Sequence, residues 1–193
     1  MAQIVLASGS PRRRELLARI GLTDFTVRAP EVEEYFPEGL APPEVVAYIS
    51  REKAEAAARL CGPDDIVITA DTMVFLDQAR LGKPRDEAHA LEMLTALQGR
   101  RHTVCTGVTV RRGETVLTET ESTAVLFRSA TEAELRRYIA TGEPMDKAGA
   151  YGVPGGGGRG GVGRGGGGVD SEGRAGRGPE KNVEMFGGFS VCR

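Results

Sequence analysis

Ile4-Val5-Leu6-Ala7-Ser8-Gly9-Ser10-Pro11-Arg12-Arg13 is the stretch from which the fold reads. Its first four residues form a short apolar run of the kind a buried strand shows. Ser8-Gly9-Ser10 turns the chain, Ser10 stands where a helix N-cap belongs, and Pro11 takes the first helical position. The helix carries Leu16, Leu17 and Ile20 and stops at Gly21. A strand that feeds a helix through a tight turn is the opening unit of an α/β protein.

The rest of the chain continues in that style. Residues 25–29 read as a second strand, and a long helix starts at Pro42-Pro43-Glu44, runs to Leu60 and is closed by Gly62-Pro63. Residues 66–70 are a buried strand that ends at Asp71-Thr72. After the turn Leu81-Gly82-Lys83-Pro84, residues 86–97 are helical. Residues 103–111 and 115–127 alternate around Arg112-Gly113 as a hairpin. Thr131 caps a helix over 132–140, with Glu134 completing a capping box. Strands interleaved with helices plus an antiparallel pair predict an α/β fold built on a mixed central sheet with helices on both sides.

Composition narrows the function classes. The 193 residues carry a formal charge of −2 with no basic block in the body, so nucleic acid is not an expected partner. There is no apolar run long enough for a membrane span, and the apolar start is too short for a signal peptide. Cys61, Cys105 and Cys192 are widely spaced, which fits neither a metal knuckle nor a disulfide framework, and a cytoplasmic compartment is expected. Glycine is the exception to this ordinary composition. Of 27 glycines, 17 fall within residues 152–193, a segment with no Leu or Ile. A domain over 1–153 followed by a Gly/Arg-rich tail over 154–193 is therefore expected, and such a tail cannot build a normal core.

Several residues could carry chemistry. The turn Ser8-Gly9-Ser10 leaves backbone N–H groups and two hydroxyls in front of a helix N-terminus, while Arg12 and Arg13 add guanidiniums suited to phosphate oxygens. A capped helix with surface arginines is the alternative, although Arg13 shares a stripe with Leu17 and Ile20. Lys53 lies on the apolar stripe of Val46, Ile49, Ala57 and Leu60, where an ammonium either snorkels at the edge or has a buried partner. Asp71, directly after a buried strand, is either a cap or a ligand-handling acid. Glu33 and Glu34 are carboxylates that could join a hard-metal site with oxygen ligands, or simply face water. Lys83 and Lys147 sit in turns from which a lysine can reach a phosphate. His89 and His102 are too isolated to form a ligand pair.

Five segments in order carry a resemblance: Leu6-Ala7-Ser8-Gly9-Ser10-Pro11-Arg12-Arg13, Ala70-Asp71-Thr72-Met73-Val74, Leu81-Gly82-Lys83-Pro84, Thr106-Gly107-Val108 and residues 142–152 around Asp146-Lys147. Over residues 1–153 the chain resembles the Maf family of nucleoside triphosphate pyrophosphatases, in its dTTP/UTP branch. The resemblance implies an inosine-triphosphate-pyrophosphatase-like fold with a cleft between two lobes, a homodimer, and a divalent cation, Mg2+ or Mn2+, as cofactor. The implied reaction cleaves a nucleoside triphosphate between its α- and β-phosphates. The family's proton acceptor falls on Asp71, which with Glu34 would also hold the metal. Its specificity positions fall on Arg12, Thr72 and a glutamine two residues after Tyr151-Gly152. Its other cleft residues fall on Ser8, Arg13, Lys53, Lys83, Asp146 and Lys147, and Ser10 joins them as a phosphate donor. Other readings are a pyrophosphatase with another base preference and a catalytically weak nucleotide-binding regulator of septum formation.

The pattern breaks where the glutamine belongs, because Pro154 stands there and Gly155–Gly158 follow. One inserted nucleotide in a G+C-rich gene accounts for this: GTC-CAG before a glycine codon becomes GTC-CCA-GGN, which reads Val-Pro-Gly. A genuine Gly/Arg-rich segment is the alternative. Only Asn182-Val183 resembles the family's closing motif, so a missing strand and an unpaired sheet edge are expected, with poor stability and reduced activity.

Overall fold

The computed structural model describes residues 2–32, 35–152, 182–185 and 189–192, the last two segments as backbone only. Glu33, Glu34, Pro154 and most of the segment assigned to the tail lie outside the described residues. The chain divides into two compact units, one of residues 1–82 and 102–123, the other of residues 83–101 and 124–193.

In the first unit, β1 (Ile4–Leu6) lies between two parallel neighbours, β2 (Thr26–Val27) and β3 (Ile66–Leu76). On its other side β3 runs antiparallel to β5 (Arg101–Arg112), which neighbours β6 (Thr115–Phe127). The expected mixed α/β architecture is observed. β3 is longer than its apolar start predicts. It continues through Asp71 and Thr72 to Leu76, where β4 (Ala79–Leu81) pairs back onto Val74–Leu76. In sequence the polar pair resembles a strand end. The ladder to β5, which covers Ile66 to Phe75, carries the strand through it. Because β5 takes one edge, β1 and β4 share the other. They pair with Ile66–Ile68 and Val74–Leu76 respectively and leave the edge between them open among the described residues.

Alternation sorts the two faces of β3. Val67, Thr69, Asp71, Met73 and Phe75 are buried. The helix α2 (Pro42–Ala58) covers this face antiparallel to the strand. Its first half packs Val45, Val46 and Ile49 on Met73 and Phe75, and its second half packs Ala57 on Val67 and Ala7. Each of the valine and isoleucine side chains adds roughly 1.5–3 kcal/mol when fully buried. Leu60 lies beyond the helix end and is exposed, so it is not part of the stripe.

The helix α1 (Pro11–Arg19) buries only Leu17. Ile20, expected on the same stripe, is its C-cap and is exposed, since the chain leaves the helix there into Gly21 at φ 87°. Ser10 does occupy the N-cap position with extended backbone, but its side chain makes no capping bond.

In the second unit, α3 (Glu87–Leu97) packs on α4 (Glu132–Ile139). Asp86 caps α3 through His89 N–H at 2.7 Å. Thr131 and Glu134 form the expected capping box, the Glu134 carboxylate accepting from Thr131 N–H at 2.8 Å. Phe127 and Tyr151 meet edge to face at 4.8 Å. Contrary to the missing strand and unpaired sheet edge expected, β8 (Phe189–Cys192) pairs antiparallel with Leu126 and Phe127, and β7 (Asn182–Met185) pairs with β8. Phe-Ser-Val alternates apolar and polar residues, a short pattern that the glycine-rich composition around it obscures. No helix among the described residues is long and apolar enough to cross a membrane.

Candidate active site

Asp71 sits where the α2-facing side of β3 passes the open stretch of strand edge. Lys53, one turn beyond Ile49 and Ser50 on α2, donates to Asp71 Oδ1 at 2.6 Å. The side chains are 19 % and 7 % exposed, so the pair is held mostly out of water and Lys53 has the buried partner its place on the stripe requires. Asp71 Oδ2 is buried without a hydrogen-bond partner among the described residues. A buried carboxylate oxygen with idle lone pairs is costly unless something else occupies them. That oxygen can take a proton from water or bind a hard cation.

The chain leaves β1 at the same level. Ala7 N–H bonds Ile68 O at 2.9 Å, and the turn that follows is organised by Ser8. The buried Ser8 Oγ accepts from Ser10 N–H at 3.3 Å and from Arg13 Nη1 at 2.8 Å. Ser8, rather than Ser10, is therefore the hydroxyl that ties the turn to the helix. Arg13 reaches back over the turn and is half-buried, whereas Arg12 is exposed.

Thr72 points the opposite way from Asp71 and is exposed. Its hydroxyl lies 3.1 Å from that of Thr106, its register partner on β5. Thr106 was seen in the sequence only as part of Thr106-Gly107-Val108. The strand pairing is what sets it beside Thr72.

Lys83, Asp146 and Lys147 belong to the second unit. Lys147 Nζ donates to Asp146 Oδ1 at 2.8 Å and to Glu143 O at 2.7 Å. The ammonium holds the Asp146 carboxyl below its ordinary range, and the field of Lys83 adds to it. Tyr138 braces this loop. Its hydroxyl accepts from the buried Gly152 N–H at 3.2 Å, and burial together with Glu143 pushes its pKa up to about 12. Tyr138→Phe leaves that N–H without its acceptor and is expected to cost about 1–3 kcal/mol. In a chain of this size this is roughly 2–12 °C in thermal midpoint, and an unchanged melting curve would contradict the role.

The profile of the Maf-like protein family matches residues 3–168. The chain belongs to the Maf-like family. The match runs past residue 153. Over 152 residues this Maf-like chain is 47 % identical to a dTTP/UTP pyrophosphatase of Bacteroides thetaiotaomicron, covering 78 % of each chain. It is 50 % identical over 157 residues to a dTTP/UTP pyrophosphatase of Pelotomaculum thermopropionicum, covering 80 % of this chain and 81 % of the relative. Among solved structures, the Staphylococcus aureus Ham1 protein aligns with a TM-score of 0.46 at 16 % identity, over 66 % of this chain and 73 % of that one.

Among the described residues no three His, Cys, Asp or Glu side chains cluster as a ready-made metal cage. The donor chemistry still suits a hard cation of the Mg2+ type. Such ions keep several waters and take only one or two carboxylates plus substrate phosphates, and Asp71 Oδ2 supplies one such oxygen.

Proposed function

We propose that this Maf-like chain hydrolyses dTTP and UTP to the monophosphate and pyrophosphate. The observation that carries the reading is the Asp71 carboxylate, fixed through Oδ1 by Lys53 and idle at a buried Oδ2. Its relatives' names supply the substrate class.

Oδ2 is the proton acceptor for the attacking water, and Lys53 keeps the carboxylate oriented for that transfer. Orientation matters because a carboxylate is a weak base, so most of the rate must come from placement and electrostatics. Arg13, held by Ser8, and the exposed Arg12 offer guanidinium donors to phosphate oxygens, and the family resemblance assigns Lys83 and Lys147 the same task. Thr72 and Thr106 present hydroxyls suited to the carbonyl and N–H edge of a pyrimidine. A divalent cation, Mg2+ or Mn2+, would be held by Asp71 Oδ2 with Glu34 and would neutralise phosphate charge when bound. A cytoplasmic compartment and a homodimer accompany the reading, both from the family resemblance.

Pyrophosphate release across dTTP, UTP, CTP, ATP and GTP tests the proposal. Release from dTTP and UTP at least about tenfold faster than from the others is expected, and chelation of divalent cations should abolish it. Equal release from purine nucleotides would support the other-base reading that Pro154 motivates. Tight binding without release would support the regulator instead.

A further inference from the structure

We propose that a chain of buried hydroxyls centred on Ser50, with Thr69 as its link to β3, positions Lys53 against Asp71. The inference rests on the reading of that pair as the reacting centre. Ser50, Thr69 and Thr109 are each fully buried, on α2, β3 and β5 respectively. Ser50 lies one helical turn before Lys53, Thr69 two residues before Asp71 on the same strand face, and Thr109 is the register partner of Thr69.

Proton counting gives the chain a single direction. Ser50 Oγ donates to Ala47 O at 3.0 Å, which uses its only proton. Its 2.8 Å contact with Thr109 Oγ1 must then be accepted, so Thr109 donates. Thr109 in turn accepts from Thr118 at 3.0 Å, and Thr118 accepts from Arg51 Nε at 3.2 Å. With Ser50 donating to Ala47 O and Arg51 donating to Thr118, each hydroxyl between them donates once and accepts once. Separately, Thr69 Oγ1 donates to Ser50 O at 2.7 Å.

Aliphatic packing alone fixes the slide of a helix along a strand loosely, since apolar side chains tolerate small shifts. The Thr69–Ser50 bond fixes it at one point, three residues from Lys53 on the helix and two from Asp71 on the strand. A 2.6 Å ion pair depends on that registration, because a lysine has four rotatable bonds and its ammonium moves with the helix that carries it.

Thr69→Val, nearly isosteric, removes the link, and Thr69→Ser restores it. Two readouts are taken on the full chain with added Mg2+. The first is acetylation of Lys53, one of four lysines, by limiting acetic anhydride and mass spectrometry. The second is kcat and KM for dTTP, also in a Lys53→Met background. Thr69→Val should raise Lys53 acetylation several-fold and lower kcat about 10- to 100-fold with little change in KM. Thr69→Ser should resemble the parent in both, and Thr69→Val should add less than about twofold once Lys53 is gone. Unchanged acetylation, or equal losses of kcat in both backgrounds, would overturn the proposal and leave Thr69 a purely structural residue. If the parent chain turns over no nucleotide, the functional reading fails and the acetylation result alone decides the positioning role. Should Thr69→Val not fold, Thr109→Val is carried through the same measurements with the same criteria.

Discussion

Replacing Asp71 by Asn is expected to lower pyrophosphate release from dTTP by about 10²–10⁴-fold, the usual range for loss of a positioned general base. The substitution keeps shape and volume and changes one atom that matters. The amide oxygen can still face the Lys53 ammonium, so its NH2 falls where Oδ2 stands, a donor in place of the buried acceptor. Water can no longer pass its proton there, and a cation loses an anionic ligand. Lys53 also loses its counter-charge. Because its side chain is 19 % exposed, it can shift its head toward solvent, and the stability loss should stay near 1–3 kcal/mol. Single-turnover release together with calorimetric dTTP binding separates the effects. Binding within a few-fold of the parent and release down by at least about two orders of magnitude is the expected pair. Release within tenfold of the parent would remove Asp71 from the role of proton acceptor.

The elements that local chemistry specifies were legible in the sequence, and those that depend on neighbours were not. The strand–turn–helix at Ile4–Arg13, the two helices of the second unit and the Thr131–Glu134 box follow from apolar period and capping residues a few positions apart. Lys53 could be flagged because an ammonium on an apolar stripe is locally anomalous, although only the fold supplies Asp71 as its partner. Local sequence ends β3 at Asp71-Thr72, since two polar residues look like a strand end, and only the ladder to β5 carries the strand past them. The hydroxyl chain was invisible for a related reason. Ser50, Thr69 and Thr109 are residues expected at surfaces, and they are buried here because they satisfy one another across 59 and 19 positions of sequence. The N-cap position of Ser10 is legible because capping rules are local, whereas the bond from Arg13 over the cap to Ser8 is not.

Gly107→Ala carries the largest expected structural effect. Gly107 is buried in β5 as the register partner of Asp71, and a Cβ there would lie 2.5 Å from Val46 O, 2.6 Å from Val46 C and 2.9 Å from Ala47 N. These are backbone atoms inside α2, so no side-chain rotation relieves the clash and the helix itself must lift. Overpacking of a well-filled core costs typically about 1–3 kcal/mol, and the rigid partner puts this case near 3. That corresponds to a fall of roughly 6–12 °C in thermal midpoint for a chain of this length. The same lift would lengthen the Ser50–Thr109 contact and draw Lys53 from Asp71, so activity should fall about 10²-fold in protein that remains folded at the assay temperature. Gly82→Ala is the matched control for stability, because nothing lies within 4 Å of its Cβ position and its φ is not in the left-handed region. It should melt within about 0.5 kcal/mol of the parent. If Gly107→Ala melts with Gly82→Ala, α2 does not rest on β5 as described. The glycine of the Thr-Gly-Val segment would then need an explanation other than the close passage of helix over strand.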